Sequence, residues 1–520
     1  MRTSHSPGSI TNAAVYIGRG ELIERGFVTW EGGVITGAGP MAGYARRSGR
    51  PQYDLGGCLV VPGLVDCHIH LVGFALSLTR IDLSDTGSAE EGLERIAGFL
   101  EGMPAGVWLK GRGWDKQRWG MDGFPDRGML DRVSPRNPVE LWSRDGHILW
   151  VNSMAMELSG IGRAGAVQGG EIERDREGRP TGIFKEQATK LITRRSGSED
   201  VDASCRAVES ASAKLRALGL TGLHTSENEE YAEILAAAVG RGLVGLNLFR
   251  MFETDDPAQV GRIAEMPGVD CVKVLVDGAL GSQTAGMLEP YCGGDNLGVI
   301  AVPADRLRDI VSRARDSGLS LAVHAIGDKA NREVLDVYEE TSPAKDGRHS
   351  VLRVEHAQLL HPDDVPRFGR LGVIASMQPI HLVSDTGVAG RYWGDRSRWA
   401  YAWGSISRGG GVLAFGSDAP IEEPDPLKGI HAAVTRRDPG REGSEPWYPE
   451  ECIGVSEALD AYTQGAAFAS GAAGRAGAIR PGRRADLTIL TRNILRPGDP
   501  DAILETGIAG TVVAGDALIS

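Results

Sequence analysis

The two ends of the chain and its middle carry different hydrophobic patterns. Short apolar runs at 13–17, 27–31, 34–37 and 58–61 are separated by Gly-rich turns such as GRGEL and EGGVITGAG. Runs of that length between turn residues read as strands of a small β-sandwich or a mostly antiparallel sheet. The far C-terminus repeats the pattern at 485–491 and 507–520. The simplest arrangement pairs the termini into one β-sandwich domain, residues 1–62 with 471–520.

Between them, apolar runs at 64–70, 221–225, 244–251, 271–277, 319–324, 351–356, 373–377 and 412–417 are each followed by a loop and a helical stretch. Repeated strand–helix units predict a parallel α/β fold, and eight of them predict a (β/α)8 TIM barrel, here over 63–470. A ninth run, 139–143, lies in a Trp- and Gly-rich stretch. That stretch, about 74–197, reads as an insertion after the first barrel strand, since loops at the C-terminal ends of barrel strands are where such insertions accumulate.

Composition narrows the partners. A net charge of −13 over 520 residues gives no sign of a basic groove for nucleic acid. Apolar runs stay well short of the roughly eighteen residues a membrane helix needs, and the N-terminus lacks the basic start and apolar run of a signal peptide. Six scattered cysteines without a CxxC pair read as reduced thiols of a cytoplasmic protein. The expected partner is a small-molecule substrate, and the expected assembly a homodimer, the commonest symmetric form.

Candidate chemistry sits where strands meet loops. In Val65-Asp66-Cys67-His68-Ile69-His70, alternation along a strand sends His68 and His70 to one side. Two imidazoles one pleat apart can grip a metal ion, although an HxH alone is weak support. His324 ends a later strand in HAIGD, His356 the next in RVEHAQ, and Asp418 the last in GSDAP. In a closed parallel barrel these ends converge on one rim. Four His and one Asp suit Zn²⁺ or a similar divalent cation. Lys273, Leu275 and Asp277 share one face of the fourth strand and Val272, Val274 and Val276 the other. Lys273 then points into the barrel, which is costly unless it is paired or modified. Carboxylation by CO₂ is one resolution; pairing to Asp277 or Asp418 is the other.

The ordered set VDCHIH, KVLVDGALGSQTA, HAIGD, RVEHAQ, SMQP and GSDAP resembles the amidohydrolase superfamily. More narrowly, it is similar to amidohydrolase family 3, the branch containing N-substituted formamide deformylase. The resemblance implies a distorted barrel with a split terminal β-domain. It also implies one or two cations held by His68, His70, Lys273 as an N6-carboxylated bridge, His324, His356 and Asp418. The expected reaction is hydrolysis of an amide or N-acyl C–N bond. Asp418 takes the proton of a metal-activated water and returns it to the leaving nitrogen, while the metal, His324 or His356 polarises the carbonyl. Two other readings stand beside it: a hydrolytic deaminase or cyclic amidase of a heterocycle, which the lysine argues against, and a non-catalytic regulatory protein on the same scaffold, which the full ligand set argues against.

Other residues are candidates for substrate contact. Trp114 and His147 lie in the insertion and suit either a lid over the pocket or the insertion's own core. Ser282, Gln378 and His381 follow strands on the rim side. For His224, which ends the second strand, a structural hydrogen bond is preferred over a substrate contact.

Overall fold

A computed structural model describes residues 6–519 except 47, 162–166, 168, 196–199, 342–349, 442 and 497. The expected insertion end at 197 and the last residue of the expected C-terminal strand, Ser520, therefore lie outside the described residues. The centre of the molecule is a parallel sheet of eight strands: β1 (Leu64–Ile69), β2 (Leu220–Glu227), β3 (Asn247–Glu253), β4 (Cys271–Leu275), β5 (Ser320–Ala325), β6 (Leu352–His356), β7 (Ile374–Met377) and β8 (Val412–Phe415). They follow one another in sequence order around the sheet, as right-handed strand–helix–strand crossovers require.

The alternation along β4 shows how the barrel is filled. Val272, Val274 and Val276 join the large core beneath the outer helices, together with Val323 and Val354 of the neighbouring strands. On the inner side Phe249, Met251, Cys271 and Ala322 form a small apolar layer. One pleat further along the same faces stand Glu253, Lys273 and His324. The barrel is thus apolar at one end and carries ligand-type side chains at the other, where function gathers in this architecture.

The barrel is distorted at its seam. Ladder hydrogen bonds between β8 and β1 are replaced by a side chain: buried Asp66 accepts from the amides of His68 (3.0 Å) and Ser417 (3.1 Å) and from the Ser417 hydroxyl (2.6 Å). Beyond it the chains bond directly, Asp418 N–H to His68 O at 2.6 Å and His70 N–H to Ala419 O at 2.8 Å. The seam therefore locks the first and last ligand segments to each other.

The terminal strands pair into one sheet, as expected. Its order is Asp516–Ile519, Ile508–Val513, Leu487–Leu490, Leu59–Pro62, Gly8–Gly18, Glu21–Glu31 and Val34–Pro40, with Gln52–Asp54 beside Gly8–Gly18. The stretch after β1 holds regular structure of its own. A short helix, Leu71–Ser77, follows β1 directly. A separate six-stranded sheet comes next, with Val139–Ser143 as one of its inner strands. Trp114, Trp119 and Trp150 pack edge to face in its core, so the Trp richness of this stretch is largely its own core.

Candidate metal centre

Four histidines at the strand ends share one habit: each donates its N–H to an oxygen behind it. His68 Nδ1 donates to Glu355 Oε2 (2.5 Å) and His70 Nδ1 to Ser226 O (2.8 Å). His324 Nε2 donates to Gly278 O (3.1 Å) and His356 Nδ1 to Gln378 Oε1 (2.8 Å). The carbonyl and carboxylate oxygens can only accept, which fixes those tautomers. Each ring is left with a lone-pair nitrogen on its other edge, and the four rings gather at the rim: centroids of His68 and His70 are 5.6 Å apart, His68 and His356 4.8 Å, His324 and His356 4.6 Å. An outer oxygen holding the tautomer of an inward imidazole is the usual surround of a metal-ligating histidine.

Asp418 completes a cluster. His68, His70 and Asp418 present ligand atoms within 4.8 Å of one another. Asp418 Oδ1 lies 3.3 Å from His68 Nε2 and 3.2 Å from His70 Nε2, and this buried oxygen has no hydrogen-bond partner. Lone pairs facing one another at that distance repel unless positive charge sits between them. Ligands at 2.0–2.1 Å in a tetrahedral zinc site are about 3.3 Å apart, so the spacing fits a bound cation. Without a cation, Asp418 and Glu253 outweigh the burial that opposes an imidazolium at His70 and lift its pKa to about 9, so a proton on Nε2 then takes the place that a cation would fill. The site thus favours positive charge.

Lys273 reaches the same point from β4. It is 2% exposed, and its Nζ is 3.3 Å from His68 Nε2. Burial is the chief cause that lowers its pKa. Asp277 is not its partner: that carboxylate accepts from the amides of Gly286 (2.9 Å), Ile326 (3.0 Å) and Gly327 (2.9 Å) and ties two rim loops together.

His356 needs a special backbone to join the group. By alternation it belongs with Val354, on the outer side of β6. Its φ of 71° turns the side chain back to the rim, an uncommon conformation for a non-glycine residue. Asp418 also has a positive φ, 61°. Backbone conformations of this kind persist where the surrounding structure holds them, and they gather at functional sites.

The groups beneath the centre are not among the residues expected from the sequence. Arg353 and Glu355 are fully buried inside the barrel. Arg353 Nε donates to Glu355 Oε1 at 2.5 Å, and the guanidinium also donates to Cys67 O (2.6 Å), Ser376 Oγ (2.8 Å) and His224 Nδ1 (2.9 Å). Glu355 then carries the charge to His68. Burial would raise the Glu355 pKa, but Arg353 and His68 hold it well below the usual carboxylate range. His224 thus makes a structural bond. Opposite charges two residues apart on an otherwise apolar strand, in RVEH, were the available signal.

Two cavities meet at the centre, one of about 160 Å³ and one of about 660 Å³, and His147, His324, His356 and Asp418 line both. Trp114 and His381 border the smaller one, although Trp114 is 1% exposed and donates to Leu141 O at 2.8 Å. His381 Nε2 is buried without a partner, 3.7 Å from Asp418 Oδ2. Gln378 is 2% exposed and holds His356. Ser282 shares a hydrogen bond with Thr284 at 2.7 Å.

A parallel eight-stranded barrel with a His/His/Asp cluster at its rim defines a metal-dependent hydrolase. The sequence model of the amidohydrolase family matches residues 52–519, and the chain belongs to that family. It is 33% identical to the putative amidohydrolase YtcJ of Bacillus subtilis over 489 residues, 91% of each chain. It is 30% identical to the N-substituted formamide deformylase of Arthrobacter pascens over 471 residues, covering 85% of this chain and 84% of that one. Among solved structures it is similar to an uncharacterized metal-dependent hydrolase from Pyrococcus horikoshii OT3, with a TM-score of 0.76, 28% identity and coverage of 95% of this chain and 99% of that one. Among the described residues no helix is long and apolar enough to cross a membrane.

Proposed function

We propose that this enzyme hydrolyses the C–N bond of a small amide or N-acyl compound at a binuclear divalent-cation centre. Zn²⁺ is the metal best matched to the donors, and the full set is His68, His70, Lys273 as a carbamate, His324, His356 and Asp418. The observation that carries the reading is the shared tautomer pattern: four imidazoles and an unpartnered carboxylate oxygen aim lone pairs at one space. The similarity to a formamide deformylase directs the substrate search to N-substituted formamides and related N-acyl amines. Cations bound there would supply Lewis acidity toward water and the scissile carbonyl.

The chain's own residues supply the proton handling. Asp418 Oδ2 lies on the cavity side, near His381. Asp418 takes a proton from the attacking water and delivers it to the departing nitrogen, a general base and then a general acid. Gln378 acts through His356, Trp114 and His381 border the substrate space, and Ser282 belongs to the rim loop after β4. The domain limits that fit this reading are 1–62 and 471–520 for the terminal sheet and 63–470 for the barrel with its insertion. A cytoplasmic homodimer acting on a small molecule completes the proposal.

Lys273 tests the second cation. A neutral amine adds to CO₂ and releases a proton to become a carbamate, and the buried position of Lys273 favours the neutral form. Lys273→Ala is expected to bind about half the metal of the native enzyme, measured by elemental analysis, and to recover part of its activity with added short carboxylates such as acetate or propionate. Undiminished metal content would remove the bridging role. The substrate class is tested by the appearance of free amino groups from a panel of N-substituted formamides and N-acetyl amines, by cleavage, and of cyclic amides, by ring opening. Turnover confined to the cyclic compounds would overturn the open-chain reading.

A further inference from the structure

A cation in the wall of the larger cavity stands without a counter-ion. Arg112 belongs to the insertion strand Leu109–Trp114 and lines that cavity together with His68, His70 and Asp418. It is partly buried, and burial is the chief cause that lowers its pKa. Its hydrogen bond, from Nη2 to Ile421 O, is long at 3.4 Å. Among the described residues no carboxylate reaches ion-pair distance of the guanidinium. Asp82 and Glu422 attract it from further off, but both are engaged. Asp82 accepts from the Ser84 amide at 2.9 Å and from its hydroxyl. Glu422 accepts from Arg144 at 2.9 Å and from Ser384 at 2.7 Å.

The local backbone accounts for where this side chain stands. Strand alternation would put Lys110, Arg112 and Trp114 on one face. Trp114 instead joins Leu109 in the insertion's core. The register against Val139–Ser143 slips between Arg112 and Trp114, where Gly113 has a φ of 97°. A side chain on Gly113 would lie 2.6 Å from the Ser84 amide nitrogen, so both the conformation and the close approach require glycine. The bulge turns Trp114 inward and leaves Arg112 on the cavity, as bulges beside active sites do. Trp142, the register partner of Arg112, lines the same cavity.

A guanidinium taken out of water without a partner is costly, and its planar fork of donors matches a carboxylate two bonds at a time. The protein supplies no such partner here. Other carboxylates of the same wall are committed: Glu186 accepts from His147 Nδ1 at 3.1 Å and from Thr284 Oγ1 at 2.9 Å, and Glu253 from Ser226 Oγ at 2.9 Å. Their charges disfavour an anion elsewhere in the cavity, so a single negative charge has one favoured place, at Arg112. We infer that the substrate carries a carboxylate and that Arg112 binds it in the larger cavity, setting which end of the molecule lies away from the scissile bond. The inference rests on the C–N hydrolysis proposed above and narrows its substrates to amides whose amine or acyl part ends in a carboxylate. Arg112 is then a specificity residue, aimed by the Gly113 bulge.

The metal-loaded full chain is assayed on the N-formyl derivatives of glycine, β-alanine and 4-aminobutyrate, which carry the carboxylate on the amine part, and on N-methylsuccinamate, which carries it on the acyl part. Each is paired with its neutral carboxamide, and the measure is the ratio of kcat/KM, carboxylate over carboxamide. The native enzyme is expected to prefer the best carboxylate by about 30-fold, the scale of a hydrogen bond between charged groups. Arg112→Met should bring that ratio near one, and Arg112→Lys, which keeps the charge and loses the fork, should fall between. If Arg112 only tied down Ile421, its loss would lower both members of a pair alike. A native ratio near one for every pair, or a native ratio retained in Arg112→Met, would overturn the assignment. Calorimetric binding of the N-methylsulfonyl derivatives of the same amino acids, which are not hydrolysed, decides the point without turnover. Binding at least about tenfold weaker in Arg112→Met is expected; equal affinity, or no binding to the native protein, would overturn it. If these ligands bind through Arg112 and no amide is turned over, the C–N reading fails and the carboxylate site stands.

Discussion

Asp418→Asn is expected to keep the native metal content and lose about three orders of magnitude in kcat, within the range for removal of a general acid–base group. The retained amide oxygen can still face the cation beside His68 and His70, where Oδ1 now lies without a partner. The amide cannot take a proton from water or pass one to the leaving nitrogen, so the loss falls on kcat more than on KM. Elemental analysis and steady-state kinetics on the same preparation check both halves. Full activity would remove Asp418 as the proton carrier, and loss of the metal with the activity would make it a ligand first.

Arg353→Met is expected to destabilise the fold by about 3–5 kcal/mol, the cost of leaving one half of a buried ion pair. Glu355 would remain charged in the barrel interior, with His68 beside it and Lys273 nearby but without its guanidinium partner. Cys67 O, Ser376 and His224 would each lose a donor as well. Urea unfolding followed by circular dichroism measures the change. The double replacement Arg353→Met with Glu355→Leu should recover much of the stability, because both charges leave together. It should also weaken metal binding, since His68 loses the acceptor that sets its tautomer. Stability unchanged in the single variant would show that this network is not a structural support.

Most of the side chains gathered at the rim were legible because their signals are local. His68, His324 and Asp418 each sit where an apolar run gives way to a loop, and strand alternation sends His68, His70 and Lys273 to the inside. The eight barrel strands were found for the same reason: both of their faces are covered, so the runs are apolar and bounded by turns. His356 shows the limit. Alternation alone would place it outside with Val354, and only the φ of 71° brings it in; its place among the candidates came from the motif and not from the pleat.

What escaped the sequence depends on contacts between distant segments. Arg353 and Glu355 look like ordinary polar positions until closure of the barrel puts His68 above them and Cys67 O and Ser376 around them. Glu186 and Thr284 are 98 residues apart, and nothing local to either marks it as part of a chain ending at His147. The sheet within the insertion was only partly legible: 139–143 reads as a strand and Trp114 suits either a lid or the insertion's own core, and the structure puts the Trp side chains in the core of a six-stranded sheet. The seam of the barrel, where Asp66 takes the place of ladder bonds, likewise appears only once β1 and β8 are neighbours.

The central claim is a cation centre at the barrel rim built by six side chains. Its most direct test is the metal content per chain, by elemental analysis, of protein purified without chelator and of the same protein reloaded with Zn²⁺ and bicarbonate. The account predicts about two cations per chain, falling to near zero in a His68→Ala, His70→Ala, His356→Ala variant that remains folded. A native protein that holds no cation after reloading would contradict it.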